Sequence, residues 1–526
     1  MRHGRERGPQ TAAPIGAKSP ERGDWSDRFP IRAVSLRLYQ FCDALSGPLI
    51  CLALVFSPWA FGTTVSWTVW TMNGVGYALG GLLAVKLFLR WRKWYAPPRW
   101  GISLPGATAR TDWSQLFVHP LAWLTVAILG YCLISAVNAR ATYHRAGQSF
   151  DYHRYLEWLP HSLDSASSWP VFWNYLALAC LFWAIRDWLL GKTRAEQLAE
   201  RTTNAPEAST RTSLMPARLR LMLWVLAING GLLAVEGIAQ RIEGSGNLLF
   251  MVKPRVNPDA VTQFGPYAYR ANASQYFNLL WPVCLGFWWM LQQEGGRRRG
   301  AHHWLLLCSA LMAACPIIST SRGGALITVV VAVAAITLLV ATHFFLAARR
   351  QQSRRARIVS LIAVGVFFVA ALGLGYGLGW KELSPRMKQI HEGFTGREQM
   401  FDAARPMAAD YPVFGTGPGT FETVFQLYRV TTDTYWPAQL HNDWLETRIT
   451  FGWVGSAMIA LAFVLVVLRW YLPGGIQGGR RFMLLTWLAL AGCLAHARFD
   501  FPFQIYSIVL LFLTWCAMLS TLTRRP

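Results

Sequence analysis

Charge is scarce in this chain. Only 15% of its 526 residues are Asp, Glu, Lys or Arg, against 53% apolar, a balance that excludes an ordinary soluble enzyme and points to a membrane. Cysteine is scarce as well, nine in all. Each lies in or beside an apolar run, and none forms a CxxC pair or a Cys/His ligand spacing, so packing is their expected role. Residues 1 to 38 lack the short apolar core and cleavage site of a signal peptide, so the first span is expected to be an uncleaved anchor. No repeat at a fixed period and no pair of similar halves is visible, which argues against transporters built from inverted repeats. Aromatics, by contrast, are plentiful. The 26 Trp, 29 Phe and 17 Tyr exclude a mainly disordered protein.

Stretches able to cross about 30 Å of hydrocarbon need roughly 20 apolar residues, and the sequence predicts twelve of them. They run over 44–62, 68–89, 116–137, 169–185, 221–240, 272–293, 303–319, 323–348, 358–379, 451–468, 482–497 and 503–522. With the N-terminus placed in the cytoplasm, inner segments hold 33 of the 50 Lys and Arg and outer segments 16, with Lys86 near the inner end of the second span. Acids divide 11 inside and 16 outside, so the whole net charge of +23 lies on the inner side. That is positive-inside bias beside anionic lipid, and it leaves nucleic acid no place as a partner. The expected organisation is a basic cytoplasmic segment (1–43), N-terminal spans (44–219), central spans (220–379), a large outer loop (380–450) and C-terminal spans (451–526).

Polar residues concentrate in three outer stretches: 138–168, 241–271 and 380–450. The last contains a helical segment from Gly396 to Asp410, then Pro412-Val413-Phe414-Gly415-Thr416-Gly417-Pro418-Gly419, where Pro and Gly end the helix. It closes on His441-Asn442-Asp443-Trp444-Leu445-Glu446, which runs into the Gly452 and Gly455 start of a span.

Four features in this order resemble the O-antigen ligase and Wzy-type polymerase superfamily of bacterial membrane glycosyltransferases. They are the Ser321-Arg322-Gly323-Gly324 turn opening a span, Gly396-Arg397 opening the loop helix, the P-x-x-G-x-G-x-G run from Pro412, and His441-Asn442-Asp443 with Glu446. The resemblance covers roughly residues 220–520. It implies a GT-C-like, all-α integral membrane protein of the bacterial inner membrane, with about twelve spans and a large periplasmic loop closing over its substrate. It further implies an inverting, metal-independent enzyme without cofactor. Such an enzyme moves a glycan from undecaprenyl diphosphate to an acceptor hydroxyl on another glycan, on lipid A-core or on a protein. Ligase, chain polymerase and protein O-oligosaccharyltransferase share the pattern. A lipid-linked glycan flippase is the rival from another class, but it would carry its decisive polar groups at mid-membrane rather than at the outer surface.

The chemistry this reaction needs matches those residues. Departing phosphates must be neutralised, and guanidinium, always charged and able to form paired hydrogen bonds, suits this better than ammonium. By resemblance Arg322 would hold the diphosphate from the membrane and Arg397 from above. Histidine alone among side chains takes a proton near neutral pH without help from its surroundings, which suits His441 as general base, with either Asp443 or Glu446 orienting its ring. Asn442, Asp443 and Glu446 are the expected substrate-side residues. Arg270, after Tyr267 and Tyr269, is either an aromatic-belt anchor or a phosphate or glycan contact.

Other features carry blander expectations. Gly415, Gly417 and Gly419 lack the following Lys of a nucleotide loop and read as a structural turn. His144, His153 and His161 lack a metal spacing. Glu236, costly in lipid, is expected to face the protein interior. His496, Arg498 and Asp500 either line the acceptor side or cap the last two helices. Gly373, Gly375, Gly377 and Gly379 suggest close helix packing.

Overall fold

A computed structural model of the chain describes residues 33–93, 95–100, 120–203, 215–254, 259–294, 300–346, 354–430, 438–469, 476–477 and 479–523. Most of the basic N-terminal segment and the arginines at 297–299 and 524–525 lie outside the described residues. The protein is an all-α membrane protein. A helix covers each of the twelve expected stretches: α1 (Ala33–Trp59), α2 (Ser66–Lys93), α3 (Pro120–Val137), α4 (Ser165–Leu190), α5 (Ala217–Glu243), α6 (Arg270–Glu294), α7 (Trp304–Ile318), α8 (Arg322–Leu346), α9 (Arg354–Lys388), and, after the loop helix α10 (Ile390–Asp410), α11 (Asp443–Arg469), α12 (Arg480–His496) and α13 (Tyr506–Thr521). Nine of the helices among the described residues are long and apolar enough to cross a membrane by themselves. Of the other expected spans, α12 and α13 are short, at 17 and 16 residues. Strand is confined, among the described residues, to the hairpin Ala141–His144 with Ser149–Tyr152 and the pair Ile476–Gln477 with Leu522–Thr523.

The helix that organises the rest is α6. It is buried at every position from Ala271 to Met290, with Trp281 and Trp288 wholly enclosed. α7, α8, α12 and α13 pack around it. Its outer half carries Asn272, Ser274, Gln275 and Asn278, all buried, and buried polar groups need partners. They find them at the start of α8: Asn278 Nδ2 donates to Gly324 O (3.0 Å), Thr328 Oγ1 donates to Asn278 Oδ1 (2.7 Å), and Ser274 and Ser319 hydroxyls pair at 2.7 Å. A polar face inside the membrane thus positions the outer end of α8.

Basic residues expected only to set topology are also structural. Lys86 bridges Asp43 (2.9 Å) and Asp187 (2.6 Å), Arg90 binds Asp187 (2.7 Å), Arg218 binds Asp43 (2.5 Å), and Arg99 also pairs with Asp187. Lys86, Arg90 and Asp187 are buried. These ion pairs tie α1, α2, α4 and α5 together where no solvent could satisfy the charges.

Two expectations need correction. The loop helix begins at Ile390, so Gly396-Arg397 lies inside it rather than opening it. In α9 the glycines that pack are Gly375 and Gly379, whose Cβ positions would meet Ile317 and Ile318, while Gly373 and Gly377 face open space. The spacing is the same and the face is different.

The Pro412–Gly419 segment is a structural turn. α11 breaks at Gly452 (φ 59°, ψ −165°), and the turn enters the break: Trp453 N donates to Pro412 O (2.9 Å), Thr416 N to Ile449 O (2.9 Å) and Gly417 N to Thr450 O (3.0 Å). Gly415 has φ 70°, and a Cβ there would sit 2.5 Å from Ile449 O; only glycine accepts both the conformation and the contact. The first outer loop joins in, with Leu163 N donating to Thr416 O (2.8 Å) and Ser168 Oγ to Pro418 O (2.8 Å). The large loop is therefore fastened to the bundle on both sides of His441.

Candidate active site

His441 sits in the left-handed region, with φ 59°, a conformation uncommon for a residue with a side chain and often found where function demands it. Its neighbours enforce it. Asn442 N-caps α11, its Oδ1 accepting from Leu445 N (3.2 Å). Glu446 Oε2 accepts from Leu440 N (2.8 Å). Asp443 N donates to Ala497 O (2.9 Å), and its Oδ2 accepts from Phe503 N (2.7 Å). The two acids of the motif, both buried, are occupied with backbone amides on either side of the histidine.

The group that meets the imidazole is Asp500, in the turn between α12 and α13. His441 Nδ1 lies 3.1 Å from Asp500 Oδ1. An ionised carboxylate only accepts, so Nδ1 carries a proton, and in the neutral ring Nε2 keeps its lone pair; Nε2 has no partner among the described residues. Asp500 is buried. Burial alone would raise its pKa, but the hydrogen bond and charge of His441, with Arg397 and His496 nearby, hold it below the usual carboxylate range. Tyr269 OH donates to Asp500 Oδ2 (3.2 Å), while the Tyr269 and Phe501 rings stack at 5.4 Å and both meet the imidazole edge to face. The ring is thus fixed by a carboxylate and walled by two aromatics.

Arg397, from α10, reaches into this group. It donates to Phe499 O and to Tyr269 OH (3.3 Å), and stands 3.8 Å from Asp500 Oδ2. His496 lies beneath, fully buried, with Nδ1 2.6 Å from Gln275 Oε1 and Nε2 4.0 Å from Asp500 Oδ2.

Beyond Tyr269 the outer ends of four helices bring together Arg241 (α5), Arg270 (α6), Arg322 (α8) and Arg386 (α9). Arg270 feels the positive charges of Arg386, Arg241 and Arg322, and Arg386 that of Arg322. Glu382 is the acid nearest in effect to Arg241, yet among the described residues none of the four makes an ion pair. Their hydrogen bonds go to carbonyls instead: Arg241 to Gln263 O (2.9 Å), Arg270 to Val261 O (2.5 Å), Arg322 to Gln389 O (2.9 Å). Arg270 and Arg322 also open their helices, where unpaired amides add positive potential. Cations gathered here without an ion-pair partner favour an anionic ligand. Ser321 caps α8 through Gly324 N (3.1 Å), and a Cβ on Gly324 would overlap Ser274, so that glycine serves helix packing as well as the turn.

Residues 307–460 match the family model described as O-antigen ligase. That stretch is similar to the O-antigen ligase and Wzy-type superfamily. The ligase domain runs from α7 into α11 and includes Arg322, Arg397 and His441; Arg241, Arg270, Tyr269 and Asp500 lie outside the matched stretch. No curated protein matches the chain. The O-antigen ligase match, with nine helices among the described residues long and apolar enough to cross a membrane, points to a multi-pass membrane protein carrying a glycosyltransferase-like domain.

Of the residues expected at the ligase site, His441 and Arg397 meet at Asp500, and Arg322 and Arg270 meet with Arg241 and Arg386. Asn442, Asp443 and Glu446 frame the backbone. Sequence reasoning did not single out Tyr269, Arg241 or Arg386, and placed Asp500 only as a cap or acceptor-side residue. Their shared signal is position, since each is a polar or charged residue at the outer end of a span. His144 pairs with Asp151 (2.9 Å), His153 with Thr142 (3.0 Å) and His161 with Leu159 O (3.1 Å). Among the described residues no group of His, Cys, Asp or Glu is placed to hold a metal ion. Glu236 encloses both carboxylate oxygens without a hydrogen bond, next to Gly265.

Proposed function

We propose that the protein transfers a glycan from an undecaprenyl-diphosphate carrier to an acceptor hydroxyl at the periplasmic face of the bacterial inner membrane, with inversion and without a metal. The observation that carries this reading is a group of four arginines, none in an ion pair among the described residues, beyond Tyr269 from a histidine whose ring is oriented by Asp500. The acceptor oxygen attacks the anomeric carbon, and the bond from that carbon to the phosphate oxygen breaks on the opposite side. The hydroxyl proton passes to His441 Nε2, and the undecaprenyl diphosphate leaves with its charge held by Arg322, Arg270, Arg241 and Arg386. Asp500 stabilises the imidazolium that forms, and Arg397 holds Asp500 and the Phe499 carbonyl in place. Asn442, Asp443 and Glu446 maintain the strained backbone of the base. The product is a surface polysaccharide, lipopolysaccharide or exopolysaccharide, or a glycosylated protein.

The test is transfer by purified enzyme in nanodiscs supplied with a lipid-linked donor and excess chelator. Turnover should persist, and Arg322→Lys should weaken donor binding by roughly tenfold or more, because a point charge does not reproduce paired phosphate contacts. Abolition by chelator with restoration by magnesium or manganese would remove the arginine mechanism. In a deletion strain, complete chains accumulating on the lipid carrier indicate a ligase, and accumulated single repeat units a polymerase.

Sidedness has its own test. Phosphatase fusions should be inactive at residues 298 and 525 and active at Gly393, as the Lys and Arg distribution requires. Activity at either inner position, or inactivity at Gly393, contradicts the topology.

A further inference from the structure

Next to His441 in the chain, Asn442 lines a cleft of about 290 Å³ together with Phe401, Arg405, Trp444, Arg448 and Arg498, with Leu445 in its wall. Its lining holds three guanidiniums and no carboxylate. Arg405 pairs with Asp402 outside the lining (2.5 Å). Arg448 is fixed by Pro412 O (3.0 Å) and by the Trp453 ring, 4.1 Å from its centroid. Arg498 is exposed, and its guanidinium has no partner among the described residues. Asn442 is buried. Its Oδ1 is used in the cap, while Nδ2 has no partner among the described residues, so a donor is left at the floor of the cleft.

We propose that this cleft is an acceptor subsite for an acidic glycan, one carrying a carboxylate or phosphate close to the hydroxyl that is glycosylated. The inference rests on the reading of His441 as base. Three features favour a glycan. First, the cleft adjoins the reacting atom through a single residue, Asn442, and a bulk lipid headgroup needs no such adjacency. Second, Arg397, Phe401 and Arg405 share one stripe of α10 at four-residue spacing, so one helix face runs from Asp500 to the cleft. Third, Trp444 is half exposed and hydrogen-bonded through Nε1 to Leu494 O (3.0 Å), which fixes an indole against which a sugar ring can stack, with guanidiniums beside it for the anion. The volume is small for a ligand pocket and suits a short stretch of glycan rather than a whole chain.

The experiment measures binding to the full-length protein in phosphatidylcholine nanodiscs. The anionic probes are tri-galacturonic acid and mannose phosphate; maltotriose and mannose are their neutral counterparts. At least one anionic probe should bind roughly tenfold more tightly than its neutral counterpart, the scale of one charge-assisted contact. The Arg405→Ser/Arg498→Ser pair should abolish that preference, and the Arg405→Lys/Arg498→Lys pair should keep most of it, showing that charge rather than folding is responsible. Undecaprenyl diphosphate should bind all three proteins equally. No preference for either anionic probe at millimolar concentration overturns the proposal. So does loss of the preference in wild-type protein when phosphatidylglycerol is added to the nanodisc, which would make the cleft a lipid headgroup site. Failure of wild-type protein to bind undecaprenyl diphosphate would instead strike the donor reading and leave the cleft result standing.

Discussion

His441→Ala is expected to leave a protein that inserts, melts near the wild-type temperature and binds undecaprenyl diphosphate, yet transfers glycan roughly a hundredfold or more slowly, the usual scale for losing a general base. The separation of folding from chemistry is argued from the contacts. The ring's hydrogen bond goes to Asp500 (3.1 Å), while the backbone turn is held by Leu440 N on Glu446 and Asp443 N on Ala497 O, bonds that the substitution does not touch. Alanine at φ 59° brings no new steric conflict, since both side chains carry a Cβ, although histidine tolerates this region somewhat better. Donor binding should survive because Arg241, Arg270, Arg322 and Arg386 stand on the far side of Tyr269. The decisive measurement is turnover at saturating donor in nanodiscs. Near-normal turnover by a well-folded His441→Ala protein would remove this residue from the chemistry.

How much of this was legible in the sequence varies with the distance over which residues must meet. Spans are local, and apolar length placed a helix in each expected stretch, nine helices among the described residues being long and apolar enough to cross a membrane. His441 and Arg322 are legible for the same reason, since each sits where a polar run meets a helix start. The His441 partner is not local. Asp500 is 59 residues away, and nothing in a linear pattern says that the α12–α13 turn lies beside the start of α11. Asp443 and Glu446 were nearer in sequence and chemically suitable, but Asp443 faces Phe503 N and Glu446 faces Leu440 N. The donor cluster was half legible for a similar reason. Arg241 and Arg386 end their helices, and that these ends adjoin Arg270 and Arg322 follows from how α5 and α9 pack on α6 and α7. Helix α10 shows the remaining kind of failure: Gly393 and Gly396 suggest a late start by propensity, yet the helix forms from Ile390, since tertiary context overrides a weak local preference. The α9 glycines show it once more, because a four-residue spacing names two candidate faces and only the neighbour, Ile317, selects one.

Asp500→Asn should lower turnover by roughly a hundredfold to ten-thousandfold, the range spanned by losing a general base and by letting a base take the wrong tautomer. A carboxylate admits only the tautomer with hydrogen on Nδ1, whereas an amide offers both a donor and an acceptor and tolerates either. The amide also withdraws the negative charge that stabilises the imidazolium once the acceptor proton has arrived. Arg397, 3.8 Å from Asp500 Oδ2, would then stand uncompensated beside the forming cation and add to the loss. The companion variants locate the effect. Asp443→Asn and Glu446→Gln each keep one carbonyl oxygen to accept from the Phe503 and Leu440 amides, so they should fold and leave turnover per folded molecule within a few-fold. Stability gives a second readout with a definite sign. Asp500 is held below the usual carboxylate range, so its contribution should be full above about pH 4, where the unfolded side chain is ionised, and should fade as pH falls through the lower value of the folded state. The melting difference between wild type and Asp500→Asn should therefore be largest near neutral pH and shrink in acid. If Asp500→Asn turns over normally while Asp443→Asn or Glu446→Gln is inactive yet folded, the orienting carboxylate is one of those two, and Asp500 is a structural cap on the turn.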